Sequence, residues 1–427
     1  MPKEPADSTS LPIIRVAPRG ADRLAQGHVW IYRSDLLSAD GVPPGSVVKV
    51  ADHRGKPLGT ALYSSSSQIA VRMLSKETSP QGAPTKAPES NEASANESAF
   101  NLSALLRQRI AAAIAYRELM VTNTDAYRVV FSEADFLPGL IVDRYNDILS
   151  LQVLTQAMDA DPVRQAILAE LTNRLHPASI IERVDPRVRE LESLLPRESG
   201  LLRGEKTSAT FTMNGVKFAF DALEGQKTGA FLDQRENYAA AASYAHGEAL
   251  DVFCYQGGFA LHLAPHCSQV TGVDSSRPAL EIADQNAALN RRDGQPEIEW
   301  IEANAFDLLK DYSSPARPQQ PRRYDTIVLD PPAFAKSKRD LDAALRGYKE
   351  LNLRSLKMLR PGGILVTSSC SYHINQSAFL GMLASAALDA HRTLRLLEVR
   401  TQSKDHPILL NVPETHYLKC VIASVSD

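Results

Sequence analysis

From about residue 211 onward, short apolar runs alternate with stretches of helical periodicity, and no other feature of the chain constrains its fold as strongly. Apolar runs at 250–253, 270–273, 298–301, 326–329 and 364–367 are separated by helical stretches at 258–264, 279–290, 343–359 and 378–388. Strands joined through helices cannot pair as tight hairpins, so the pattern predicts an α/β, Rossmann-like doubly wound sheet with parallel strands and helices on both faces. Two further strands, 394–399 and 417–423, follow with no obvious helix between them, which predicts an antiparallel pair closing a seven-stranded sheet. In open sheets of this kind a ligand sits outside the carboxyl ends of the strands, where loops and helix N-termini converge.

The preceding residues read differently. Between 13 and 74, short apolar runs are broken by turn signals at 39–45 and 52–55, the pattern of a small β-barrel or sandwich. Residues 76–98 are dominated by Ser, Thr, Pro, Ala, Asn and Glu and predict a solvated linker. A connecting helix is expected over 102–120, three strands with tight turns over 127–152, a helix over 161–175 and a strand over 180–183. A chain of 427 residues holds two or three domains at about 150 residues each. The boundaries read as 1–75 for a small β domain, 76–100 for the linker, 101–205 for the connecting helix and a small α+β domain, and 206–427 for the α/β domain.

Composition narrows the setting. Hydrophobic residues at 44% and charged residues at 23% describe a soluble globular protein. No apolar run approaches the roughly 18–20 residues that span a bilayer, and residues 1–10 are polar, so neither membrane insertion nor export is expected. Cys254, Cys267, Cys370 and Cys420 show no metal-ligand spacing and are too sparse for a disulfide framework, which predicts a reducing cytoplasmic setting and no metal. The net charge of −3 gives no whole-chain argument for nucleic acid, yet residues 11–75 carry eight Lys or Arg against four Asp, a local balance of +4.

Each expected strand ends in a polar signature. The first runs into DVFCYQGGF at 251–259, where Gly257 and Gly258 allow a tight turn and close approach of backbone to a nucleoside. The second ends at Asp274, seventeen residues after Gly257, placed to accept ribose hydroxyls; a helix-capping Asp would look the same. Both would suit a nicotinamide cofactor, but the G-x-G-x-x-G fingerprint is absent, and the fourth strand ends in Asp330, Pro331, Pro332, Ala333 and Phe334. A rigid Pro-Pro loop where a methyl acceptor would lie favours a methyltransferase using S-adenosylmethionine. The fifth strand ends in TSSCSYH at 367–373, which puts Cys370 at the same edge as Asp330. A thiolate there could attack an electron-poor ring carbon, whereas Cys254, Cys267 and Cys420 read as inert core residues.

These residues resemble a family: the class I methyltransferases of large-subunit ribosomal RNA that carry an N-terminal PUA domain and make 5-methylcytosine. The resemblance covers nearly the whole chain. It rests on GHVWI at 27–31, YSSSS at 63–67, FSEADFLPGLIVDRY at 131–145, KTGAFLDQREN at 227–237, DPPAFAKSK at 330–338 and SCS at 369–371. It implies that residues 1–75 form a PUA-like RNA-binding domain. It also implies S-adenosylmethionine contacts from Asp233, Gln234, Arg235, Asp251, Phe253, Tyr255, Gly257, Gly258, Asp274, Ser275, Asn304, Ala305 and Asp330, with Cys370 as the nucleophile and Asp330 beside it. Asn304 stands where many class I enzymes have Asp near the adenine amine, and Tyr255 replaces the first glycine of the cofactor turn. The linker is longer than the family's usual connection.

In the reaction so implied, Cys370 adds to C6 of cytosine, C5 takes the methyl group, and a base removes the C5 proton so that the thiolate leaves. His373 is the nearby base in sequence, though a histidine after a strand is commonly a surface residue. Ala333 stands where many RNA cytosine methyltransferases carry a second Cys, which implies a one-cysteine mechanism. Pro331, Pro332, Phe334, Lys336 and Lys338 are the expected substrate contacts, the lysines on RNA phosphates and the aromatic ring on a base that must be unstacked. The expected partner is large-subunit ribosomal RNA, with room for a homodimer. Three rivals stay open: a guanine-N methyltransferase that would not need Cys370, a DNA or small-molecule methyltransferase, and an RNA-binding factor without catalysis.

Overall fold

A computed structural model describes residues 11–76, 100–222, 230–292, 297–314, 322–335 and 337–427, without the side chain of Lys338. Residues 77–99, which hold nearly all of the linker, residues 227–229 of the KTGAFLDQREN motif, and Lys336 therefore lie outside the described residues, while Lys76 ends a strand.

The N-terminal part is a sheet of six described strands, with Trp30–Tyr32 at one edge and Leu36–Ser38 at the other. Those two edges are joined by the single 3-10 turn Arg33–Asp35, so the sheet has to curl round on itself. Its interior is an apolar cluster that includes Ile14, Val16, Val48, Val50, Ala61 and Val71. A helix at Pro18–Ala25, which the sequence pattern did not predict, begins with Pro18 in its first turn, where a missing N–H costs nothing. The next part has five strands in the order 200–203, 179–182, 148–153, 140–145, 126–131, packed against the helices Leu102–Met120 and Asp161–Leu175. A hairpin of Ser208–Met213 and Val216–Asp221 leads into the last part.

Among the described residues that last part is a sheet of seven strands: β1 (Glu248–Val252), β2 (Gln269–Asp274), β3 (Glu299–Glu302), β4 (Tyr324–Leu329), β5 (Leu359–Ser369), β6 (Thr393–Arg400) and β7 (Lys419–Ser426). Their order is β3-β2-β1-β4-β5-β7-β6. The first five are parallel, and β7 runs antiparallel between β5 and β6. Successive side chains alternate between faces: Val328 joins one buried cluster, while Ile327 and Leu329 join the other. Both faces are thus covered, as parallel strands require. Six helices accompany the strands: α1 (Arg235–Tyr244), α2 (Gly258–Leu263), α3 (Arg277–Asn290), α4 (Ala305–Ser313), α5 (Leu341–Met358) and α6 (Gln376–Asp389). The chain reverses its order between β1 and β4, which opens the crevice at their carboxyl ends.

The first and last parts of the chain meet directly. His28 Nε2 lies 3.1 Å from the Glu414 carboxylate, whose charge also raises the hydroxyls of Tyr32 and of Tyr372, two residues beyond Cys370, after burial. Beside them Gly27 has φ +95°, and a Cβ there would overlap the Asn411 side chain. Trp30 Nε1 donates to Glu133 at 3.0 Å, tying the same strand to the middle part.

Candidate active site

The loop after β1 reverses direction within a few residues. Phe253, Tyr255 and Gly257 all have positive φ, +67°, +50° and +84°. For a bulky residue this region costs on the order of 1–2 kcal/mol, so the tyrosine in place of a glycine is accommodated as local strain. The loop is held by Asp274 at the end of β2, whose two oxygens accept from the backbone N–H groups of Tyr255 and Ser276, each at 2.9 Å. A Cβ on Gly258 would stand 2.5 Å from the Tyr238 hydroxyl, so the start of α2 tolerates no side chain. Beneath the loop Asp251 is fully buried. Its Oδ2 accepts from Ala260 N at 2.8 Å, and its Oδ1 has no partner among the described residues. Burial first, and then Asp274, pushes this carboxyl up to about 7. Phe231, Phe253, Tyr255, Gln256, Gly258 and Asp330 line one crevice. A buried acceptor without a partner, under a loop with room for backbone approach, fits a nucleoside donor carrying an amino group.

Asp330 follows β4 across the crevice, and its hydrogen-bond roles can be derived from a group whose polarity is fixed. The Arg400 guanidinium can only donate, and its Nε donates to Asn237 Oδ1 at 2.9 Å. Asn237 Nδ2 therefore donates, to Gln234 Oε1 at 2.7 Å and to the Thr401 carbonyl at 3.1 Å. Gln234 Nε2 must then donate to Asp330 Oδ1, at 2.9 Å. That leaves Oδ2 as the oxygen that carries a proton. Burial first, with Asp233 and Asp251 adding to it and Gln234 opposing, raises this carboxyl to about 8, so it is protonated at neutral pH.

Cys370 lies just beyond β5, partly exposed, with Sγ 4.0 Å from the Pro331 carbonyl of the Asp-Pro-Pro loop. Its neighbours are clamped. The buried Tyr348 of α5 shares a 3.1 Å hydrogen bond with Ser371 Oγ, which also accepts from Ala335 N at 3.2 Å. Lys419 on β7 donates to the Ser371 carbonyl at 2.7 Å. The resting thiol is pushed up to about 12, by burial first and then by Asp330 and Asp233, with Lys419 pulling the other way.

Phe253, Tyr255, Gly258 and Asp330 line the crevice, with Asp251 beneath its loop, Gln234 joined to Asp330, and Cys370 against the Pro331 carbonyl at the same edge of the sheet. Several of the remaining expected residues have partners of their own within the protein. Arg235 is almost wholly buried, and its guanidinium is held by Asp405 at 2.9 Å and the Thr122 carbonyl at 3.2 Å. Asp233 accepts from the Tyr417 hydroxyl at 2.7 Å. Asn304 is exposed and caps α4, with Oδ1 accepting from Phe306 N at 2.9 Å and Asp307 N at 3.3 Å; Ala305 is buried in the first turn of that helix. Ser275 and Pro332 are exposed, and Phe334 packs 4.7 Å from the Tyr348 ring. Lys336 and the side chain of Lys338 lie outside the described residues. Asn237, Arg400, Tyr348 and Lys419 were not foreseen. Asn237 sits inside a recognised motif, while the other three carry no signal that separates them from ordinary strand or helix positions.

A sheet of this order, with a glycine turn over a buried carboxylate after β1 and an Asp-Pro-Pro edge after β4, is the architecture of an S-adenosylmethionine-dependent methyltransferase. Residues 199–407 match the model of the S-adenosylmethionine-dependent methyltransferases, and residues 14–76 match a PUA-like domain. Relatives named ribosomal RNA large subunit methyltransferase I share this organisation over almost their whole length. The protein of Shewanella denitrificans is 36% identical over 96% of this chain and 99% of its own, and that of Tolumonas auensis 37% identical over 93% and 96%. A methyltransferase from Streptococcus mutans has the same fold, with a TM-score of 0.76 at 18% identity, covering 97% of this chain and 100% of its own. The chain belongs to the S-adenosylmethionine-dependent methyltransferase family that the ribosomal RNA large subunit methyltransferase I proteins form.

Proposed function

We propose that the protein methylates C5 of a cytosine in large-subunit ribosomal RNA, in the cytoplasm, through a covalent adduct on Cys370. The observation that carries this reading is the placement of Cys370 against the Pro331 carbonyl, beside Asp330 whose Oδ1 is held by Gln234, on one edge of the sheet. C5 of cytosine is a weak nucleophile. A thiolate adding to C6 makes C5 electron-rich, provided that N3 receives a proton as the C–S bond forms. Asp330 Oδ2 is the donor for that proton, because Gln234 holds Oδ1 as an acceptor. The bound S-adenosylmethionine supplies the methyl group as an electrophile. Asp251, the Tyr255–Gly258 loop and Asp274 would hold it, and Pro331 and Pro332 would keep the acceptor ring against Cys370. Removal of the C5 proton, with return of the pair to C5–C6, then expels the thiolate, and N3 gives its proton back to Asp330. The relatives' name and the PUA-like domain support ribosomal RNA as the acceptor.

The test is to incubate the purified protein with large-subunit ribosomal RNA and labelled S-adenosylmethionine and to analyse the product nucleosides. Label is expected in 5-methylcytidine, and Cys370→Ala should remove it. Label in a methylguanosine that survives Cys370→Ala would overturn the proposal in favour of a guanine-N enzyme.

A further inference from the structure

Lys419 is 3% exposed, and its ammonium is satisfied by two backbone carbonyls, Ser371 and Tyr417, each at 2.7 Å. Among the described residues no carboxylate forms an ion pair with it. Buried lysines are rare without a counter-charge, because removing an ammonium from water costs several kcal/mol. The strand register explains why this one lies where it does. Lys419 pairs across the antiparallel ladder with Ser369, the residue before Cys370, and its tether reaches the residue after it. The cation therefore straddles the cysteine.

We infer that Lys419 is a positioning residue whose ammonium serves as the counter-ion of the Cys370 thiolate. The inference rests on the reading of Cys370 as the nucleophile. The groups that bear on the sulfur are Asp330 and Asp233, which oppose its ionisation, and Lys419, which favours it; Tyr348 feels the same thiolate from α5, and His416 feels Lys419. With Asp330 protonated and Asp233 accepting from Tyr417, Lys419 is the charge left to stabilise the anion. Burial pulls the Lys419 ammonium down to about 8 while Cys370 works the other way, so its help is present below that pH and fades above it.

Iodoacetamide reads this directly. The Cys370 thiolate forms a C–S bond as the C–I bond breaks and iodide leaves, and the thiol proton passes to buffer. The other three cysteines are buried and serve as internal controls in peptide mass spectrometry. In Lys419→Met the rate at Cys370 is expected to fall about tenfold at pH 7, equivalent to one pH unit of thiol acidity, and Lys419→Arg should restore most of it. The ratio of wild type to Lys419→Met should shrink above pH 8, as the ammonium is lost. In the wild type alone, the rate should climb with pH up to about 8 and then flatten. A ratio that stays constant with pH, or a wild-type rate that climbs tenfold per pH unit from 7 to 10, would overturn the inference, and the second measurement needs no variant. Alkylation does not depend on methyl transfer. If the product is not 5-methylcytidine while the rates behave as described, the proposed function fails and the counter-ion role stands.

Discussion

Asp405 is fully buried and Asp330 half-buried, both are bonded to adjacent residues of one segment, and they are driven in opposite directions. Arg235 donates to Asp405 at 2.9 Å, and Gln234 donates to Asp330 at 2.9 Å. Burial would raise both. At Asp405 the effects of His406, Arg235 and the backbone N–H of Arg128 outweigh it and hold the carboxyl well below the usual range. At Asp330 the partner is a neutral amide, and the nearby charges are carboxylates, so burial prevails. The same carboxylic acid is an anion that ties elements together in one place and a proton donor in the other. What separates them is the charge of the neighbour, because burial is common to both.

The comparison can be broken by substitution. Asp405→Asn should have the largest effect on folding, about 3–5 kcal/mol, because it removes the buried partner of the Arg235 guanidinium and leaves it only the carboxylate of Glu236, at 3.7 Å; thermal or denaturant unfolding would show it. Asp330→Asn should lower turnover by about 10²–10⁴-fold, the range for loss of a general acid, while leaving thermal stability unchanged or raised. If the two variants were equally destabilised, the contrast would collapse.

The pH dependence sharpens it further. Asp405 has its folded value below the ordinary 3.8, so its stabilising contribution is present above that value and disappears as pH falls through the folded one. Asp330 has its folded value above 3.8, so its effect on stability declines as pH rises from about 4 to about 8 and then levels. Turnover should fall as pH rises through about 8, and Gln234→Lys, which sets a cation beside Asp330, should move that fall to lower pH. The smallest effect is expected from Arg400→Met, which frees the Asn237 and Gln234 amides to turn: roughly fivefold in turnover, equal to about 1 kcal/mol, the ordinary worth of a hydrogen bond. Initial rates over pH 6–10 would check both.

The landmarks of the site were legible because they are local. Asp251, Asp274, Asp330 and Cys370 each end a strand whose apolar run marks it, and a parallel sheet brings such ends to one edge. The antiparallel β6–β7 pair was legible for the same reason. Helix α4, capped by Asn304, escaped because its apolar residues Phe306, Leu308 and Leu309 are too few to show a helical period. Asp405, which holds Arg235, is 170 residues away from it and carried no mark of that role. The Arg400–Asn237–Gln234 relay and the tether from Lys419 escaped likewise. Strand periodicity places a side chain on a face but does not reveal which distant polar group it will meet there.

The seam at Gly27, His28 and Glu414 has a consequence in time. Glu414 is made 386 residues after His28, and a ribosome adding about 5–20 residues per second needs roughly 20–80 s to reach it. For that interval the N-terminal sheet, already able to close on its own core, keeps uncovered the face that Asn411 and Glu414 will later occupy. Completion of that face and completion of the loop after Cys370 therefore wait on the same residue.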